Sequence, residues 1–298
     1  MYLFTIIIPH KNIPNLLKRC LDSIPKRNDI QIIIVDDNSN LTQEEFIHFP
    51  GTNVPNIEIY FTKEEKGAGY ARNIGLNHAK GEWILFADAD DIFLPEIEKV
   101  LLLTERESAD IIYFGVIQKI QDIKTNESIY KEYVDLSQPI DKLIYNINPV
   151  WGKVFKKSFI VKHHITFDEV MYGNDIKFSC LCDFYASNIV IINKNAYCYI
   201  IRENSLYTTK NIEWCICRYN VIMDLYYFMK NHNQNKLVQQ YKETAYYLLS
   251  FISQYSHKTH IKYLFTYGIR IKSFKILLIS LPITILYYIK QRLINFIR

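Results

Sequence analysis

The 298-residue chain lacks most of the short signatures from which an activity is usually read, and each absence closes a class of function. No G-x-x-x-x-G-K-S/T occurs, so a phosphate cradle of glycines and a lysine ahead of a helix is excluded. Gly67 and Gly69 have the first spacing of a dinucleotide fingerprint, but Arg72 stands where the third glycine would be, which disfavours a nicotinamide enzyme. The eight histidines form no motif: His163-His164 lacks the H-E-x-x-H spacing, and no G-x-S-x-G or Cys/His nucleophile signature stands out. Cysteine is limited to six. Cys180 and Cys182, like Cys215 and Cys217, sit two apart inside apolar sequence without the gaps of a zinc knuckle, so they read as reduced core thiols. The opening "MYLFTIIIPHKN" has no basic segment and no cleavage site, and its apolar stretch stops at Pro9; it reads as a strand, and a cytoplasmic protein is expected. There is no internal repeat and no low-complexity linker.

What is present points to a large folded domain. Apolar residues make up 49% of the chain, which excludes disorder, and the length suffices for one large domain or a large and a small one. The net charge of +4 is unevenly placed. Six Lys or Arg and no acid lie between Arg270 and Arg298, leaving the rest at −2 once those six are removed. A nucleic-acid footprint would spread basic residues over the main fold, so no nucleic-acid partner is expected.

Residues 1–116 alternate two periods. "LFTIII", "IQIIIVDD", "IEIYFT", "EWILFAD" and "DIIYFGV" are short apolar runs; between them "NLLKRCLDSI", "LTQEEFIHF", "AGYARNIGLNHAK" and "PEIEKVLLLTERE" carry apolar residues at helical spacing. Strands apolar along their whole length and alternating with helices predict a doubly wound α/β domain with a mostly parallel sheet covered on both faces. Residues 117–147 are polar and read as an excursion over the acceptor side. Structure resumes at "VWGKVFKKSFIVKHH", two strand-like runs follow in "NIVIIN" and "AYCYII", and after about residue 210 the pattern turns helical. The expected division is therefore a domain over 1–210, with halves at about 1–116 and 117–210, and a helical extension over 211–298.

In open parallel sheets, ligands collect beyond the carboxyl ends of the strands. Those ends carry Pro9-His10-Lys11-Asn12, Asp36-Asp37-Asn38-Ser39, Lys66-Gly67-Ala68-Gly69 and Asp88-Ala89-Asp90-Asp91. Acids dominate two of the four. Carboxylates repel a phosphorylated ligand unless a divalent cation lies between them, and hard cations such as Mg²⁺ or Mn²⁺ take oxygen ligands. Asp90, with Asp88 or Asp91, is the expected metal ligand. The plainer alternative is that these acids cap the turn before the helix that Pro95 opens.

The segments "TIIIPHKN", "IIIVDDNS", "GAGYARNIGLNHAKGEWILFADADD", "WGKVFKK", "GNDIKF" and "YIIRENS" occur in this order at intervals that resemble the GT-A fold glycosyltransferases of family 2, inverting enzymes that use nucleotide-sugar donors. The resemblance spans residues 1 to about 120 and 150 to about 206. It implies that Pro9 borders the nucleobase, and that Asp37, with Asp36 beside it, accepts a hydrogen bond from a uracil-type base. It implies further that Arg72 approaches the ribose or phosphates, that Asp88 and Asp90 form the D-x-D motif, and that Trp151 and Arg202 lie near the sugar and phosphates. Arg72 could instead pair with a nearby acid, and Trp151 could equally be core. Asp175 is the residue matching the family's general base, with Asn174 where that pattern usually has Glu.

Together these imply a metal-dependent (Mn²⁺ or Mg²⁺) inverting transferase moving a sugar from a nucleotide-diphosphate donor, UDP-linked, to a hydroxyl of a glycan or lipid-linked glycan in surface polysaccharide or lipopolysaccharide synthesis. Asn174 keeps a second expectation open, a catalytically silent nucleotide-sugar binding module. In the tail, the uncharged run Ile276 to Ile289 has 14 residues and contains Pro282, short of the roughly 18 needed to span a bilayer. With basic flanks and Tyr287-Tyr288 near its edge it reads as an interfacial anchor on the inner membrane face, or as a hydrophobic helix packed on the protein or a partner.

Overall fold

The structure is a computed structural model that describes residues 1–121, 128–134, 136–145, 149–202, 211–256 and 259. The chain divides into two compact units, Met1–Ser205 and Leu206–Arg298. The basic tail, the "ENS" of "YIIRENS" and parts of 117–147 lie outside the described residues.

The first unit is built on one nine-stranded sheet. Its parallel half consists of β1 (Phe4–His10), β2 (Ile30–Asp37), β3 (Ile57–Thr62) and β4 (Trp83–Phe86), in the order β3-β2-β1-β4. Every residue of β1, β2 and β4 is buried, which is why these runs are apolar throughout rather than alternating. Odd and even residues feed different layers. Ile6 and Ile8 pack beside Leu17 and Cys20 of α1 (Pro14–Asp22) and Ile97 and Leu101 of α4 (Ile97–Thr104). Ile7, Ile33 and Val35 face the other layer, with Ala71 of α3 (Ala68–His78), Phe159 of α6 (Lys157–Lys162) and Phe178 of α7 (Asn174–Tyr185).

Beyond β4 the sheet is mixed, continuing β8-β6-β9-β5 through β8 (Lys153–Lys156), β6 (Ile111–Gln121), β9 (Ile189–Ile200) and β5 (Ile92–Phe93). β8 runs antiparallel to both β4 and β6, whereas β6 and β9 are parallel. The runs "NIVIIN" and "AYCYII" are one strand: its register against β6 shifts around Gly115, where a side chain would collide with the Asn195 Oδ1. Part of the polar stretch after residue 117 prolongs β6 and returns as β7 (Ser128–Glu132), exposed throughout, which pairs with β6.

Lys153 ties β8 to α7 inside the core. Its ammonium is wholly buried, 3.8 Å from Asp183 Oδ2 and 3.2 Å from Ser179 Oγ, while Tyr113 donates to Asp183 Oδ1 at 2.5 Å. Burial raises the Asp183 carboxyl above its ordinary range, opposed by Lys153 and the Tyr113 hydroxyl. None of the six cysteines is in a disulfide, and five of them are buried.

The second unit contains α8 (Ile212–Asn231) and α9 (Asn235–Tyr255). Asn211 caps α8 by accepting from Trp214 N at 2.8 Å, and Asn233, at φ 58°, turns the chain between the helices. Leu225, Met229, Tyr241, Leu248 and Ile252 are buried in this unit. Among the described residues no helix is long and apolar enough to cross a membrane.

Candidate active site

The carboxyl ends of β1, β2 and β4 lie side by side at one edge of the sheet. Ala87 N donates to Ile7 O, and the β1–β4 ladder ends at Ile7 and Phe86. Pro9, two residues on, turns its backbone the same way, so its missing N–H falls where β4 has already stopped. Next to it His10 is buried; Ile13 N donates to its Nε2 at 3.1 Å, which leaves the proton on Nδ1, 2.7 Å from Asp36 Oδ2. Asp36 also accepts from Ser39 N and Oγ, at 2.9 and 2.5 Å. Burial alone would raise the Asp36 carboxyl, but the bonds from His10 and Ser39 outweigh it and hold it below its usual range.

Asp37 Oδ2 accepts from Gly67 N at 2.8 Å and Oδ1 from Thr62 at 3.3 Å. Gly67 has φ 87°, a conformation that favours glycine, and it opens α3. Asp36 and Asp37 thus shape the loops beyond the strand ends: one holds the β1 end, the other the start of α3.

The second acidic pair is differently arranged. Asp88 Oδ1 accepts from Arg72 Nη2 at 2.6 Å, and Asp90 Oδ2 from Arg202 Nε at 2.6 Å. Arg19 Nη2 donates to the Asp90 carbonyl at 2.5 Å. Asp91 is fully buried: Tyr197 donates to its Oδ2 at 2.8 Å and Ile200 N to its Oδ1 at 2.8 Å. The Tyr197 oxygen in turn accepts from Asp88 N at 3.0 Å. Burial, then the neighbouring charges of Asp88 and Asp90, push Asp91 well above the ordinary carboxylate range; burial and Asp88 raise Asp90, opposed by Arg202. Trp151 is buried with its ring stacked on Tyr197 and Tyr199 at centroid distances of 5.6 and 5.3 Å, so it braces the wall behind the acids.

The first turn of α7 lies on the other side of Arg72, whose Nη1 donates to Asn174 Oδ1 at 2.7 Å. Asp175 follows, half-buried, in the same turn. One guanidinium therefore brings the end of β4 and the start of α7 together.

Measured against the expected roles, the structure gathers Pro9, Asp36, Asp37, Asp88, Asp90 and Asp91 at the strand ends, with Arg72 linking Asp88 to the residue before Asp175 and Arg202 on Asp90. Asp36, Asp37, Asp91 and Arg72 make protein contacts with the atoms that a ligand was expected to meet. Each is buried, and a buried charged group is stabilised by the hydrogen bonds it makes inside the protein. Tyr197 and Arg19 were missed: Tyr197 sits in an apolar run that periodicity reads as core, and Arg19 on an amphipathic helix reads as solvated.

A hard cation would find two carboxylates here, Asp90 and Asp88. Among the described residues no group of three or more His, Cys, Asp or Glu is arranged to hold a metal. This donor set suits an ion that keeps water and completes its shell with phosphate oxygens, and does not suit one needing a closed protein cage.

A parallel half-sheet with acids at its carboxyl ends, continued by a mixed half that brings a helix start up to them, is the GT-A architecture of glycosyltransferases. The model of the family described as "Glycosyl transferase family 2" matches residues 5–160, and the chain belongs to that family. "Glycosyltransferase GlyA" of Streptococcus pneumoniae is 25% identical over 232 residues, 70% of this chain and 32% of that protein. A poly(ribitol-phosphate) beta-glucosyltransferase of Bacillus spizizenii is 27% identical over 207 residues, 67% of this chain and 32% of that protein. The matches thus span about a third of the length of these two relatives. A crystal structure of Staphylococcus aureus TarS 1-349 in complex with UDP-GlcNAc superposes with a TM-score of 0.59 at 20% identity, covering 74% of this chain and 66% of that one. At that identity the likeness is one of fold.

Proposed function

We propose that this chain transfers a sugar, with inversion, from a UDP-linked donor to a hydroxyl of a cell-surface glycan. The observation that carries the reading is the Arg72 bridge, which sets Asp88 of the strand end and Asn174, the neighbour of Asp175, against one guanidinium. A donor-binding acidic tip and a candidate base on one short span are what in-line displacement needs. Two relatives named for glycosyl transfer to poly(ribitol-phosphate), from Bacillus spizizenii and Staphylococcus aureus, support a surface-polymer acceptor, and the UDP-GlcNAc bound to the similar TarS fold supports the donor class.

In this reading Asp175 accepts the proton of the acceptor hydroxyl as its oxygen bonds to the anomeric carbon. The bond from that carbon to the diphosphate breaks, and its electron pair leaves with the nucleoside diphosphate. Asp90 and Asp88 would hold a divalent cation, Mn²⁺ or Mg²⁺, which offsets the negative charge developing on the diphosphate. Arg202 reaches the phosphates, Pro9 and the loop organised by Asp37 border the base, and Asp91 keeps the tip in shape through Tyr197.

Asp175→Asn is expected to lower donor hydrolysis and transfer about 10²- to 10⁴-fold while the Kd for UDP with Mn²⁺ stays within about twofold. Retained turnover in that variant would remove Asp175 from the chemistry. A second reading, a silent binding module, rests on the neutral Asn174 beside the base; it wins if the wild type binds UDP with Mn²⁺ and turns over no nucleotide sugar of any kind.

A further inference from the structure

We infer that Arg72 is a positioning residue: it fixes the gap between the acidic end of β4 and the base-bearing start of α7, with Asn174 as its partner. The inference rests on the proposed role of Asp175. Arg72 is only 5% exposed, and its two outer nitrogens are both engaged within the protein, on Asp88 and Asn174. Its central carbon lies 5.5 Å from the centroid of the Phe167 ring. Its Nε is buried and meets no hydrogen-bond partner among the described residues. The orientation of the guanidinium is therefore fixed by its two outer nitrogens, the ones that make the bridge, while Nε goes unused.

The surrounding chain is built for the same purpose. A Cβ on Gly69 would lie 2.1 Å from Asp168 O and 2.9 Å from Asn174 Cβ, so only glycine lets the first turn of α3 rest on the approach to α7. Asn73, next to Arg72, clamps the backbone of Phe167 twice, its Nδ2 donating to Phe167 O at 3.0 Å and its Oδ1 accepting from Phe167 N at 2.8 Å. Phe167 in turn stacks on Phe178 of α7 at 4.0 Å. Gly69, Arg72 and Asn73 thus hold one register between α3 and α7, and Arg72 carries that register on to Asp88.

The charge of residue 174 matters in this arrangement. Asn174 accepts from Arg72 as a neutral amide, so among the described residues Asp88 is the anion paired with the guanidinium. Asp88 is therefore held by Arg72 through Oδ1.

The test measures kcat, KM and binding on the full chain. Arg72→Gln is expected to lower kcat for donor hydrolysis roughly 100-fold, the scale of a misplacement of about 1 Å, with neither donor KM nor the Kd of UDP in Mn²⁺ raised. Arg72→Lys, which can reach one partner at a time, recovers part of the loss. Asn174→Leu lowers kcat by itself, and the double variant is no worse than Arg72→Gln, because one bridge is broken in both. Amide hydrogen exchange in the first turn of α7 rises in each single variant. A rise in KM and Kd at unchanged kcat would make Arg72 a donor contact and overturn the inference, as would additive losses in the double variant. If the wild type turns over no donor, the proposed reaction falls; unchanged exchange in α7 of Arg72→Gln and Asn174→Leu would then overturn the bridge as well.

Discussion

Asp88 and Asp90 stand two residues apart, each 2.6 Å from an arginine, yet the two pairs differ in kind. The Arg72 side chain is 6% exposed and that of Arg202 is 38% exposed, so water screens the second pair far more than the first. Replacing the exposed partner is therefore the gentler change. Arg202→Gln should tighten binding of Mn²⁺ alone about two- to fivefold, because a cation competing for Asp90 is removed, and isothermal titration without nucleotide reads the change. Proton competition acts on the same carboxylate. Burial and Asp88 make Asp90 hold its proton more tightly than a free carboxyl, whose pKa is about 3.9, so Mn²⁺ affinity should fall as pH is lowered while ordinary carboxylates are still ionised. A flat affinity across that range would detach the ion from Asp90. The acids themselves were legible, since three in four residues after an apolar run is unusual. Which arginine or tyrosine each would meet was not, because those partners come from α3, α1, β9 and the residues just after β9, distant in sequence and brought near by the sheet.

At the scale of elements, the docking of α3 on α7 depends on the absence of a side chain at Gly69. Gly69→Ala should displace the helices and destabilise the protein by about 1–3 kcal/mol, the usual range for overpacking, which lowers its melting temperature by several degrees. Calorimetry checks it; an unchanged melting temperature would mean that the contact yields freely. The parallel strands were readable from their unbroken apolar runs, and the structure sets them within a residue or two of those runs. β8 was not readable as a neighbour of β4. Four residues at "KVFK" look like any short strand, and nothing local says that they run against their neighbours. β9 was read as two strands because Lys194 and Asn195 interrupt the apolar pattern where the bulge opposite Gly115 turns them out to solvent.

For the whole molecule, folding and ion binding are linked. Asp90 and Asp91 hold protons more tightly in the folded state than in the unfolded one, so the folded state is favoured by protonation, and that contribution is lost as pH rises above the ordinary carboxylate range. A cation at the tip would offset this loss. The rise in melting temperature produced by Mn²⁺ with UDP is accordingly expected to be larger near pH 8 than near pH 5, and an equal or smaller rise would count against the acidic tip as the ion's site. The arrangement of the sheet carries one more consequence, for the order in which the chain is made. β8 lies between β4 and β6 yet emerges after both, so a nascent chain ending near residue 121 has each of these strands lacking the neighbour that will later separate and join them. Until "KVFK" leaves the ribosome, the edges of β4 and β6 that face it wait to be paired, and the other edge of β6 waits longer still, for β9. The stretch from residue 122 to 152 is then the interval in which a growing chain is open to wrong partners and has most need of a chaperone.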